Sequence, residues 1–137
     1  MYVKLEMGDD MKLRVRSLKN EWYDLIAEVD GSCHTIHFEC VMNNPISELL
    51  ISPFLLKDSR DIKIEFFNLS ECRILYIDAI GKGLCAVRFE ENIEHLSQRE
   101  FTRAILRLID RFLYESELDN PSLKSSAEKL RNLYSTL

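Results

Sequence analysis

Apolar and polar residues alternate along most of the first two thirds of the chain, and a period of two predicts strands. Val3, Leu5 and Met7 fall on one side of a run from Tyr2 to Met7, which Gly8-Asp9-Asp10 interrupts. Met11, Leu13 and Val15 then alternate with Lys12, Arg14 and Arg16 up to Leu18. From Glu21 to Met42 the pattern predicts two strands joined by Asp30-Gly31, a pair suited to a tight primed turn. That turn sets the register: Val29 faces Ser32, Ala27 faces His34, Leu25 faces Ile36, and Tyr23 faces Phe38. The opposite face then carries Glu28 with Cys33, Ile26 with Thr35, Asp24 with His37, and Trp22 with Glu39. A three-residue turn at Lys19-Asn20-Glu21 places Val15 opposite Leu25, Leu13 opposite Ala27, Arg16 opposite Asp24 and Lys12 opposite Glu28.

A second meander follows a helical insertion. Asn44 and Pro45 are suited to open a short helix, with Ile46, Leu49 and Leu50 on one face. Pro53 is expected to end it, leaving Phe54-Leu55-Leu56 as a buried connection. Ile62, Ile64 and Phe66 alternate again, and a turn at Ser70-Glu71 pairs Phe66 with Leu75, Ile64 with Ile77 and Ile62 with Ala79. On the outer face this register sets Lys63 near Asp78. Gly81-Lys82-Gly83 is read as a hairpin loop that pairs Ala79 with Cys85, Ile77 with Val87 and Leu75 with Phe89, with Tyr76 near Arg88 outside. The glycine spacing and the absence of a following helix exclude a phosphate loop.

Two helices are predicted at the C-terminus. Ser97-Gln98-Arg99-Glu100 is a capping box opening a helix to about Tyr114. Its residues Phe101, Ala104, Ile105, Leu106, Leu108, Ile109, Phe112 and Leu113 span about 200° of the circumference at ~100° per residue. One sheet cannot cover that arc. The last helix, capped at Asn120 with the stripe Leu123, Ala127, Leu130 and Tyr134, is one cover, and a second copy of the chain is the other. The predicted fold class is therefore α+β. It is one domain over 1–137, with a largely antiparallel sheet of about seven strands in two meanders (1–42 and 61–91). One short helix and its connection are inserted at 44–60, and two helices at 97–137 pack on one face. Residues 115–120 are the expected hinge.

Charge changes the picture at one place. No lysine or arginine lies between Lys19 and Lys57, where six acids fall: Glu21, Asp24, Glu28, Asp30, Glu39 and Glu48. The other 17 of the 23 acids nearly balance the 18 bases, so this region carries the net charge of −5. Such a surface favours a basic partner and disfavours nucleic acid. No apolar run approaches the ~18 residues of a membrane span. The N-terminal residues lack a signal-peptide pattern, so a cytoplasmic protein with reduced thiols at Cys33, Cys40, Cys72 and Cys85 is expected.

Several clusters invite chemistry. Cys33, His34, His37 and Cys40 suggest a metal, but strand alternation splits them between two faces. Cys33 and His37 share a face yet stand roughly 13 Å apart at ~3.3 Å per residue, too far for a thiol–imidazole dyad. Asp24 opposite His37 is sharper, because a carboxylate can orient an imidazole; no nucleophile accompanies it. Arg99, Arg103, Arg107 and Arg111 stripe the long helix, with Glu100, Asp110 and Glu115 spaced to neutralise them. The strongest lead is an acidic sheet face built around an aromatic anchor: Trp22, Asp24, Ile26, Glu28, Asp30, His37 and Glu39.

Across roughly residues 3 to 115 the layout resembles small bacterial immunity proteins of the wall-associated toxin type. The likeness lies in four strands with a tryptophan opening the third (Glu21-Trp22-Tyr23-Asp24-Leu25), a short leucine-bearing helix, further strands and a helix. The resemblance implies a cytoplasmic protein that binds and blocks a toxin domain without catalysis; no cofactor is expected. The expected function is thus a non-enzymatic binding module for a basic toxin domain; the alternative is an oligomeric scaffold or accessory subunit assembling through the apolar C-terminal helices.

Overall fold

Seven strands follow one another in a simple meander, each antiparallel to its neighbour. They are β1 (Met11–Ser17), β2 (Trp22–Val29), β3 (Ser32–Glu39), β4 (Ile62–Phe67), β5 (Cys72–Ala79), β6 (Leu84–Phe89) and β7 (Asn92–Ser97). Helix α1 (Pro45–Lys57) is inserted after β3, and α2 (Gln98–Tyr114) and α3 (Pro121–Tyr134) complete the chain. This computed structural model describes residues 11–18, 22–29, 31–39, 44–58, 60–69, 71–81, 83–114 and 121–134. The expected strand at 2–7, the 115–120 hinge and the Asn120 cap lie outside the described residues.

The first meander has the expected register at every pair. Leu13 lies opposite Ala27, Val15 opposite Leu25 and Arg16 opposite Asp24. In the hairpin, Leu25 pairs with Ile36 and Asp24 with His37. Gly31 takes the positive φ, +80°, that its tight turn requires. The inner face so formed is buried from Met11 through Phe38, while Lys12, Arg14 and Arg16 stay outside.

Three expectations are corrected in the second half. First, α1 continues through Pro53 to Lys57, and Leu56 is a buried helical residue. Proline removes the amide that would bond the Leu49 carbonyl. The Ser52 hydroxyl, itself buried, donates to that carbonyl at 2.6 Å. The neighbouring side chain thus replaces the missing main-chain donor, and the helix survives. Its start is as expected: the Ser47 amide donates to Asn44 Oδ1 at 3.2 Å, with Pro45 in the first turn.

Second, β4 and β5 pair two residues out of the expected register. Ile64 faces Leu75, Ile62 faces Ile77, and Lys63 faces Tyr76 rather than Asp78. A shift of two leaves every side chain on its original face, so the apolar pattern cannot distinguish the alternatives. Asn68 decides it locally. Its amide donates to the Glu71 carbonyl and its side chain accepts from the Glu71 amide, both at 3.0 Å. This closes the turn one step earlier and leaves Leu69 exposed. The β5–β6 pairing is the expected one, Ala79 with Cys85 and Ile77 with Val87, and Arg88 sits 4.1 Å over the Tyr76 ring.

Third, β7 was not foreseen, so the second meander extends to Ser97. Its pattern is weak because Glu94 occupies an inward position opposite Val87, while Ile93 points out. The two-residue link at Glu90-Glu91 uses a positive φ of 55° at Glu90, outside glycine's usual role.

The helices share one core with the inner sheet face. The α2 arc is covered within the chain: Phe101, Ala104, Ile105, Leu108, Ile109 and Phe112 are buried against β1, β7, α1 and α3. Burial of each large side chain contributes about 1.5–3 kcal/mol. α3 is pinned by buried Ala127, by Arg131 on Asp110 at 3.0 Å, and by the Tyr134 hydroxyl donating to the Leu50 carbonyl at 2.6 Å. At the α2 start the Glu100 amide donates to Ser97 Oγ at 3.0 Å, one half of the expected capping box, while the Glu100 carboxylate meets Arg103 at 3.3 Å.

The Ser52–Pro53 arrangement yields a testable coupling. Ser52→Ala should cost about 1–2 kcal/mol, because it leaves the buried Leu49 carbonyl without a donor. In a Pro53→Ala background the restored amide serves that carbonyl, and the same change should cost clearly less. A double-mutant cycle by urea unfolding measures the difference.

Candidate functional site

The outer face of β1–β3 gathers four polar and aromatic side chains into one unit. Asp24, in the centre of β2, is 7% exposed. Arg16 from β1 donates through Nη2 to Asp24 Oδ2 at 2.8 Å. His37 from β3 makes a 2.8 Å hydrogen bond through Nδ1 to Asp24 Oδ1. The Trp22 ring lies flat on the His37 ring, with centroids 4.6 Å apart and planes within 3°. Every member is where the strand register sends it. Arg16 and His37 are the cross-strand neighbours of Asp24, and Trp22 is the diagonal neighbour of His37.

Burial alone would raise the Asp24 pKa. The hydrogen bonds from Arg16 and His37, with their positive charge, outweigh it and hold the carboxyl below the ordinary aspartate range. Asp24 is therefore an ionised, fully engaged carboxylate. It fixes the imidazole through Nδ1 and directs Nε2 away from itself. An oriented imidazole is half of an acid–base pair, but among the described residues Nε2 has no hydrogen-bonding neighbour.

The remaining expected site residues fall around this unit. Ile26 is half-buried between Arg14 and Thr35, Glu28 is exposed between Lys12 and Cys33, and Glu39 is half-buried beside Trp22 and Phe67. Asp30 lies outside the described residues. The acidic character of the face is reduced, since the Asp24 charge is taken up by Arg16 and His37.

The described members of the cysteine–histidine cluster, Cys33, His34 and His37, are divided between faces, and Cys40 lies outside the described residues. His37 lies outside, whereas His34 points inward, stacks on Phe89 at 4.6 Å and meets Glu94 at 3.2 Å. Sequence reasoning missed that inner pair because Glu94 sits on the unforeseen β7. Cys33 and Cys72 are exposed free thiols and Cys85 is a buried one; burial pushes the Cys85 pKa up to about 12, so it acts as an apolar filler. The arginine stripe is used internally in part. Arg103 meets Glu100 at 3.3 Å, and Arg107 donates to the Met11 carbonyl at 3.0 Å. Asp110 pairs with Arg131 at 3.0 Å. Lys57, Arg99 and Arg103 line a cavity of about 360 Å³ between α1 and α2.

Comparison with protein-family models, with curated proteins and with solved structures yields no match. The chain is an α+β protein in which, among the described residues, the helices pack on one face of the sheet. No helix among the described residues is long and apolar enough to cross a membrane.

Asp24 should leave a pH signature. A carboxyl with a lowered folded pKa stabilises the fold above its unfolded pKa, and that increment disappears as pH falls through the folded value. Asp24→Asn should therefore cost about 1–3 kcal/mol at pH 7. The gap from wild type should shrink steadily below the ordinary aspartate range, as urea unfolding at a series of pH values would show.

Proposed function

We propose that this chain is a non-catalytic protein-binding module that uses the outer face of β1–β3, and that its partner is a basic toxin domain, as for an immunity protein. The observation that carries the reading is the Trp22 platform. An indole on an open sheet face, stacked on an imidazole that a buried carboxylate holds in place, is already ordered before a partner arrives. Preordering lowers the entropic cost of binding, and tryptophan is a frequent energetic centre of interfaces. Ile26 supplies apolar area beside it. Glu28 and Glu39 supply negative charge that steers a basic surface. Asp24 and Arg16 act beneath the surface as positioning residues.

Self-assembly through the C-terminal helices has less support, because α3 and α1 already cover the wide arc of α2. The chain should sediment as a monomer at micromolar concentration.

The partner test is co-expression with a basic toxin domain, taken from the gene neighbouring this chain's where that gene encodes one. Wild type should restore growth. Trp22→Ala combined with Glu28→Lys should abolish protection and weaken binding at least about thirtyfold, near 2 kcal/mol. Lys63→Ala, on the other meander, should protect fully. Undiminished protection by the double variant, with an unchanged melting temperature, would remove the outer face from the proposal.

A further inference from the structure

Among the described residues, the middle of the sheet contains a strand edge that no strand covers. Val29 and Ser32 close the two-residue turn and exchange hydrogen bonds, as residues in that position do. Alternation then sends the peptide groups of Cys33, Thr35, His37 and Glu39 away from β2. Glu39 meets Phe67, the one residue pair between β3 and β4 among the described residues. β4 ends there and the chain turns back, so Cys33, Thr35 and His37 reach no second strand partner among the described residues.

Two side chains stand in for the missing strand. Asn68 Nδ2 donates to the His37 carbonyl and Arg73 Nη1 to the Thr35 carbonyl, both at 3.5 Å. These are at the outer limit of hydrogen bonding and cost little to break. Arg73 is held in place by Glu71 at 3.0 Å and Glu90 at 3.1 Å. The edge opens on a crevice of about 200 Å³, whose walls include Ile36, Ile74, Phe89 and Asn92. Protein edges are ordinarily blunted by proline, lysine or a bulge; β3 carries none of these between Cys33 and His37.

We propose that β3 from Cys33 to His37 is a docking edge for an extended segment of another protein, which adds a strand in the crevice. The chemistry selects the occupant. Main-chain groups that repeat at every second residue, roughly 6.7 Å apart, are matched by an extended backbone and by no small ligand. The incoming strand displaces the Arg73 guanidinium from the Thr35 carbonyl, and Arg73 remains tethered by Glu71 and Glu90. This mode is independent of the Trp22 platform.

The probe is an end-capped, fluorescein-labelled hexapeptide of alternating threonine and valine, titrated against the full chain. Anisotropy should rise to saturation. Amide exchange at Thr35 and His37 should slow at least about tenfold while His34 and Ile36 stay as they were. The same peptide N-methylated at every second residue should bind at least about tenfold more weakly, ~1.4 kcal/mol. Arg73→Ala should tighten binding several-fold, and Trp22→Ala should leave it unchanged, which separates this edge from the outer-face reading. Equal binding of the methylated peptide, no binding of the plain one, or unaltered exchange at Thr35 and His37 would overturn the proposal. So would a dimer that protects these amides without peptide, since the occupant would then be a second copy.

Discussion

One helix has to touch both ends of the sheet. The apolar arc of α2 is too wide for a single surface, and it is buried against the first strand and the last as well as against α1 and α3. A flat seven-stranded sheet would hold β1 and β7 far apart, at about 4.8 Å per strand step. Bringing both edges to one helix requires the sheet to bend strongly. Between the meanders, β3 and β4 share a single residue pair among the described residues. His34 then reaches Phe89 and Glu94 across the interior, and the backbone of β3 is left looking into a crevice.

The same constraint separates the two surfaces of functional interest. The helices crowd the concave inner side, so the outer side of β1–β3 stays open and carries the Trp22–His37–Asp24–Arg16 unit. This unit is a sheet-surface network with a buried centre. Its strength lies in the central carboxylate, which has two charged or polar donors and little water. The indole above it is thereby held against the imidazole rather than free to rotate. A recognition surface gains from such rigidity, whereas an isolated exposed tryptophan would have to lose that freedom on contact.

The crevice and the platform share β3 but use different faces of its chemistry. His37 presents its side chain to the platform and its carbonyl to the crevice, where Asn68 reaches it. A strand added at the edge would place its own outward side chains beside Thr35 and His37, next to the platform. The two surfaces are thus adjacent parts of one open region, one recognising side chains and the other main chain.

The alternation of side chains determined β1–β3: the expected turns at Lys19-Asn20-Glu21 and Asp30-Gly31 and a period of two leave one register, and with it the meeting of Asp24, Arg16 and His37. The same local rules determined the caps at Asn44 and Ser97 and the amphipathic arc of α2. They did not determine the β4–β5 register, because a slip of two residues is invisible to a period of two and only the Asn68 side chain breaks the tie. Nor did they reveal that α1 passes through Pro53, since the Ser52 hydroxyl rescues a carbonyl by a contact no propensity records. β7 and the crevice were decided by tertiary structure alone. Glu94 is tolerated inside because His34 meets it from sixty residues away, and a gap between strands arises from how far the sheet must bend, which no single segment encodes.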